Sequence, residues 1–333
     1  MKKAMKLVFA FGLAIAALFL AGCPAPGGGG GHSAGDRQTF TADGVSFNLV
    51  YVPAYANFPT STDDGGTATV SSAYWIGETE VTYALWITVY AWATDAARGA
   101  NQYTFANAGV CGSAGSGSVQ QPVTTVSWRD SIVWCNAATE WYNAKAGTSY
   151  TCVYTYSSAI IRNAGDATAC DNAVASSTAT GFRLLISNEY ELAARWRNNA
   201  TNTVAGYSNP WFTKGNSATG AITYYNDNTG GSGEPGKSAN DTVAVYGYYW
   251  NGSWVATGVS GTAAVKSKNA NSLGLYDMSG NVWEWCFDLS GPGRVGRGGS
   301  WNDNASYLQV GYWLYIGSVN TYNSLGFRLS RTQ

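Results

Sequence analysis

The apolar residues of Thr82–Thr94 (TYALWITVYAWAT) and Trp128–Lys145 (WRDSIVWCNAATEWYNAK) recur every three to four positions, which predicts two amphipathic helices. In the second, Ile132, Val133, Cys135, Ala138, Trp141 and Tyr142 form the apolar stripe, and Ser127 or Asp130 is placed to cap it. Ser187–Arg197 (SNEYELAARWR) predicts a short third helix, with Ser187 as N-cap and Tyr190 or Glu191 in its first turn. Elsewhere brief apolar runs alternate with Gly, Asn and Ser, the pattern of short strands and turns. One stretch resists both patterns. In Gly311–Tyr322 (GYWLYIGSVNTY), Tyr312, Trp313, Leu314, Tyr315 and Ile316 follow one another without polar alternation. It reads as a core strand, as part of an active site or as a surface built for contact, and a mixture of buried and presented side chains is expected. The sum is an α+β domain with few helices and many loops.

The chain opens on a different pattern. Lys2, Lys3 and Lys6 precede an apolar run from Leu7 to Leu20, and Leu20-Ala21-Gly22 leads into Cys23. A basic start, a short apolar run and small residues describe a secretory signal. The run is shorter than the roughly 20 apolar residues of a membrane span. Leu-Ala-Gly-Cys matches the bacterial lipobox, so cleavage before Cys23 and acylation of that residue are expected. Acyl chains contribute roughly 0.8 kcal/mol per buried CH₂, enough for a stable anchor when several are attached. Pro24-Ala25-Pro26 and Gly27–Gly31 then form a flexible tether. The expected organisation is a signal over 1–22, a lipidated cysteine and tether over 23–39, and one domain over 40–333. Pro24, standing where an acidic retention signal would sit, points to the outer membrane and surface exposure.

Composition narrows the chemistry. Removing a signal with three lysines and no acidic residues leaves 16 basic residues against 20 acidic ones, a net charge of −4. Nucleic acid is thereby excluded as a partner, because phosphate contacts need a basic face. The single histidine, His32, falls in the tether, so no Ser-His-Asp triad or His-ligated zinc site is expected on the rigid part. No G-x-x-x-x-G-K-[ST] phosphate loop occurs. Beyond Cys23, the cysteines are Cys111, Cys135, Cys152, Cys170 and Cys286, an odd number. A bridge between Cys152 and Cys170 across a polar loop is the best pairing for an oxidising compartment, while Cys135 and Cys286 read as small buried hydrophobes.

Short blocks recur in a telling order: Ile76-Gly77-Glu78-Thr79-Glu80-Val81-Thr82, Gln121–Trp128 (QPVTTVSW), Phe182-Arg183-Leu184-Leu185, Gly274–Trp285 (GLYDMSGNVWEW), Arg297-Gly298-Gly299-Ser300-Trp301 and Gly326-Phe327-Arg328-Leu329. This series resembles the formylglycine-generating enzyme family, the sulfatase-modifying-factor domain, over roughly residues 44–331. The resemblance implies a C-type-lectin-like fold. It does not carry the activity over. The family's reactive cysteines lie between the R-G-G-S-W block and the end, and Ser300–Gln333 contains no cysteine. Where the family commonly ends G-F-R-C, this chain reads Gly326-Phe327-Arg328-Leu329, and thiol chemistry needs a thiolate. The resemblance also implies that Cys135, whose family partner is missing, stays reduced.

Within that fold the chain resembles the variable proteins of diversity-generating retroelements, of the treponemal type. In these a reverse transcriptase rewrites codons between the R-G-G-S-W and G-F-R-L blocks, mostly at adenines of a template copy. The variable region implied here runs from about 296 to 324. Gly296, Asp303, Ser306, Tyr307, Tyr312, Leu314, Tyr315, Ile316, Ser318, Tyr322 and Ser324 are residue types such rewriting yields, Trp313 could come from an arginine codon, and Asn320 is an unaltered target. These positions are the expected ligand-binding residues of a surface-displayed, non-catalytic protein. Tyr and Trp offer rigid contact area and Ser, Gly and Asn adaptable hydrogen bonds, the mixture of antibody binding loops. An invariant adhesin or lectin on the same fold is the alternative. The expected partners are an extracellular protein or glycan and, through the anchor, the membrane. No cofactor is required. The family's calcium loop would map a structural calcium onto Asp277, the carbonyls of Gly280 and Val282, and Glu284.

Overall fold

Asp43-Gly44 sits between two apolar-alternating runs, the strongest short-range signal for a hairpin. In the computed structural model, which describes residues 31–223 and 234–333, both residues take positive φ, 47° and 78°. They join the antiparallel strands Arg37–Ala42 and Val45–Val52. The second strand pairs with Tyr74–Gly77, that strand with Ser330–Thr332, and the last with Phe182–Arg183, giving a five-stranded antiparallel sheet. The C-terminal residues thus lie inside the sheet, next to strands from the start of the domain.

The domain begins earlier than its sequence suggests. Arg37 already pairs with Val50, and Gly35 donates its N–H to the Tyr51 carbonyl at 3.0 Å. His32 lies against the rings of Tyr51 and Trp75, at 5.4 and 4.9 Å between centroids, so it belongs to the folded part and not to the tether. Cys23, the signal and the glycine run Gly27–Gly30 lie outside the described residues.

The helices are Tyr83–Ala93 (α1), Trp128–Ala146 (α2), Ala167–Asp171 (α3), Ser187–Arg195 (α4) and Glu234–Val243 (α5). Thr82 caps α1 by accepting the Leu85 N–H. Ser127 and Asp130 cap α2 together: the Ser127 hydroxyl accepts the Asp130 N–H, and the Asp130 carboxylate accepts the Ser127 N–H. Helix α4 is capped differently from the expectation. Its N-cap is Ile186, which has no side-chain acceptor, and the Glu189 carboxylate takes the Ile186 N–H at 3.0 Å. Ser187 lies inside the first turn, where its hydroxyl accepts from Arg297 instead. Trp196–Arg197 leaves the helix to pair with Trp211–Phe212. Helices α3 and α5 carry too few apolar positions to stand out in the sequence.

Helices α1 and α2 pack into an aromatic core. Trp86 and Trp134 stack at 5.6 Å, with Phe327 edge-on to both. Four buried indole N–H groups find carbonyls, Trp86 that of Ala108, Trp134 that of Trp86, Trp128 that of Cys286 and Trp285 that of Val126, while that of Trp141 finds the Asp43 carboxylate. These bonds let large rings enter the core without leaving an unpaired donor. The cysteines expected to bridge do not: Cys152 and Cys170 are both free thiols. Their Sγ atoms lie near different carbonyls, those of Asn136 and Asn163. Cys135 and Cys286 are fully buried, as read.

A second, four-stranded sheet has the order Trp313–Ile316, Gly293–Arg297, Trp283–Ser290, Leu325–Gly326, with the last pair parallel. Its outermost strand carries the segment that fitted no pattern.

Candidate recognition face

Trp313–Ile316 alternates after all. Trp313 and Tyr315 are 46% and 58% exposed, Leu314 is half-buried, and Ile316 is buried in the main core. The alternation is invisible in the sequence because the outward positions hold aromatic residues where a solvated strand would hold polar ones. Opposite Leu314 stands Gly296, which is buried. A Cβ there would meet the Ile316 Cδ1 at 2.9 Å and the Leu314 Cδ1 at 3.4 Å. Gly296 and Ile316 are therefore parts of the packing and not ligand-contacting residues. Glycine at 296 makes room for the inward side of the outer strand.

Behind this strand the rings of Trp283, Tyr307 and Tyr312 form a cluster, with Tyr307 and Tyr312 perpendicular at 5.1 Å. Asp303 accepts the Trp283 indole N–H at 2.7 Å and a hydroxyl from Ser300, so it is a strut for the cluster. Burial pushes its carboxyl above the ordinary range, and those two donors oppose the rise. Ser306 donates its N–H to the Asn304 side chain, and Ser318 donates its hydroxyl to Asp171 at 3.2 Å. Asn320 donates to the Tyr322 hydroxyl at 2.9 Å, while the Tyr322 carbonyl holds the N–H groups of Thr125 and Leu325. The carbonyl of Ser324 accepts the Trp283 N–H. Trp313, Tyr315 and Tyr322 are thus the presented rings. Tyr307, Tyr312, Leu314, Asp303, Ser306, Ser318, Asn320 and Ser324 are half-buried around them. Sequence reasoning missed Leu289 and Val319, 68% and 58% exposed. A lone apolar residue gives no signal of that kind.

The strand beneath supplies rigidity. Arg297 is buried and points inward, donating to Glu191 at 2.8 Å, to the Ser187 hydroxyl and to the carbonyl of Tyr312 at 3.1 Å. It ties α4 to the backbone of the face. Arg294 lies over the Trp128 ring at 3.7 Å and donates to the carbonyls of Phe287 and Asp171. Arg328, fully buried, makes a two-pronged pair with Glu284 at 2.9 and 2.7 Å and donates to the carbonyls of Gly77 and Tyr276.

That last pair decides the fit of a calcium ion. Both Glu284 oxygens are committed to Arg328, which would repel a cation as well as occupy its ligand. One Asp277 oxygen accepts the Lys266 N–H, and the other is buried without a hydrogen-bond partner. Among the described residues no group of three or more His, Cys, Asp or Glu side chains is arranged to hold a metal. The set Asp277, Gly280, Val282 and Glu284 does not fit a calcium shell in this arrangement. Glu80 is also buried, with neither carboxylate oxygen bonded.

All five described thiols, Cys111 among them, are shifted toward the protonated form. Burial pushes Cys135 and Cys286 well above the usual thiol range, and Cys152 and Cys170 up to about 12. Four clefts open elsewhere on the described surface, and no residue of 296–324 lines any of them.

A core of stacked tryptophans, two main sheets beside several two- and three-stranded ones, and long loops, with the C-terminal residues threaded through both main sheets, defines the class. The chain belongs to the sulfatase-modifying factor enzyme 1-like domain family, whose model matches residues 56–333. Its fold is the C-type-lectin-like fold of that family. Among solved structures it is similar to Treponema denticola variable protein 1, with 27% identity and a TM-score of 0.61 over 89% of this chain and 99% of that one. Among curated relatives it is 27% identical to the chaperone protein LppX of Paenibacillus barcinonensis, over 80% of this chain and 83% of that one. A formylglycine-generating enzyme of Streptomyces coelicolor is 40% identical, but over only 20% of this chain and 28% of the enzyme.

Proposed function

We infer that this protein is a non-catalytic ligand-binding lipoprotein whose C-terminal segment forms a diversifiable recognition face, displayed on the bacterial surface. The observation that carries the reading is the outer strand: Trp313 and Tyr315 face outward while its inward side chains and the strand below are locked into the core. Substitution at outward positions leaves the frame untouched, which is what a segment open to rewriting requires. Likeness to Treponema denticola variable protein 1 supports the variable character. The missing C-terminal cysteine and the raised thiols support a frame used for binding in place of oxidation.

The test is genetic. DNA encoding Gly296–Gln333, with its flanks, is sequenced from sister isolates. Differences concentrated at Trp313, Tyr315, Tyr322 and their neighbours, beside a near-identical copy carrying adenines there, are expected. Identical sequences without a template copy would sink the reading and leave an invariant adhesin. Anchoring is tested separately. Labelled palmitate should enter the full-length protein and not its Cys23→Ser variant, and a protease added to intact cells should cut the domain.

No helix of the described residues is long and apolar enough to cross a membrane.

A further inference from the structure

A second aromatic element stands beside the recognition face, outside the segment 296–324. Tyr248–Trp250 and Trp254–Ala256 form a short antiparallel hairpin, with Trp250 opposite Trp254 and Tyr248 opposite Ala256. The pairing puts Tyr248, Trp250 and Trp254 on one side of the hairpin. The rings of Trp250 and Trp254 meet edge-on at 5.2 Å, and Tyr248 and Trp254 are 45% and 38% exposed. Tyr249 turns the other way and carries the Lys237 ammonium over its ring at 5.0 Å.

The hairpin meets the variable segment through main-chain atoms. Gly247 and Tyr248 both donate their N–H groups to the Asp303 carbonyl, at 2.8 and 3.1 Å, and Tyr248 forms a parallel bridge with Asn304. Gly247 lies so close that a Cβ would stand 3.0 Å from the Asn302 carbonyl. Its base is closed by the Thr257 N–H on the Gly247 carbonyl at 2.8 Å. Tyr249 and Trp250 also pack on the cluster that holds Ala305 and Leu308, and the main-chain bonds do not depend on the side chains at 302–304.

We propose that this hairpin is the fixed flank of the binding site, and that the site takes a folded protein whose epitope covers both the hairpin and the outward rings of the variable segment. The proposal rests on the recognition reading above. Area argues for the joint surface. A stable protein interface needs about 800 Å² from each partner. A fully buried aromatic side chain supplies roughly 150–250 Å², so three half-exposed rings fall well short alone. The hairpin adds rings in direct backbone continuity with the segment. The exposed aliphatic Leu289 and Val319, and the absence of residues 296–324 from the lining of the four clefts described, favour a protein over a small molecule, which would need a cleft.

The full chain is displayed with Trp313, Tyr315, Ser318, Asn320 and Tyr322 randomised, and selected against hen lysozyme as a folded-protein probe and maltoheptaose as a glycan probe. Lysozyme binders are expected, and Tyr248→Ser with Trp254→Ser should weaken them five-fold or more. Trp254→Phe, which keeps a ring, should retain most of the affinity. In the unmutated complex, amide exchange over 247–257 should slow on adding lysozyme. A loss below five-fold, or unchanged exchange there, would overturn the hairpin's role while leaving the variable face standing. Binders to maltoheptaose alone would overturn the protein partner. No binder to either probe would sink the recognition reading and the hairpin with it.

Discussion

Gly293–Arg297 and Trp313–Ile316 are neighbouring strands of one sheet with opposite relations to solvent. Every residue of the first is buried, and both its arginines are held by hydrogen bonds and ring contacts. The second exposes two large rings of its four side chains. Hydrophobicity would place these roles the other way round. The inversion is affordable because the guanidinium groups meet carbonyls, Glu191 and the Trp128 face, so charge is buried with its partners. Among the described residues the exposed rings have no such partner, and an outward aromatic cluster of this kind is commonly a contact surface. Stability and recognition are therefore separated by one strand spacing.

The separation can be attacked from either side. The largest effect should come from the frame: Arg328→Ala strands the Glu284 carboxylate in the core and should cost about 3–5 kcal/mol in urea unfolding. Gly296→Val forces side-chain atoms against Ile316 and should cost about 1–3 kcal/mol, although the residue lies within the variable span. Glu80 tests pH dependence. Burial lifts its carboxyl well above the ordinary range, and the charges of Asp277 and Glu284 add to the rise. A carboxyl whose folded pKa exceeds its unfolded value binds its proton more tightly in the fold. Its contribution is therefore greatest at low pH and fades as pH climbs from the unfolded value through the folded one. Glu80→Gln should flatten the loss of stability as pH rises above the ordinary carboxylate range, and an unchanged slope would show that the group carries no such load. Trp313→Ser with Tyr315→Ser should move stability by less than about 0.5 kcal/mol. A larger loss would show that the outer strand belongs to the frame. Smallest of all, calcium at about 1 mM should leave the unfolding midpoint unchanged, since Glu284 is held by Arg328.

The sequence by itself determined what depends on a few consecutive residues. Asp43-Gly44 names its own turn, because both positions must reach positive φ. The α1 and α2 stripes and the Ser127–Asp130 box name their helices, because a 3.6-residue period and a three-residue reach are local geometry. The order of blocks named the family, and the absence of cysteine after Ser300 was plain from the chain alone. Tertiary structure decided whatever depends on partners far along the chain. Arg297 reaches Glu191 across 106 positions, which drew Ser187 away from the capping role it was expected to fill. Cys152 and Cys170, near in sequence, stay free thiols and lie against separate carbonyls. Gly296 is buried because Leu314 and Ile316 lie over it, and Trp313 and Tyr315 face outward because the other side of their strand is already filled. A run of five large side chains carries no mark of which face is inside. Only the sheet beneath it, Gly293–Arg297 against Trp283–Ser290, makes that choice.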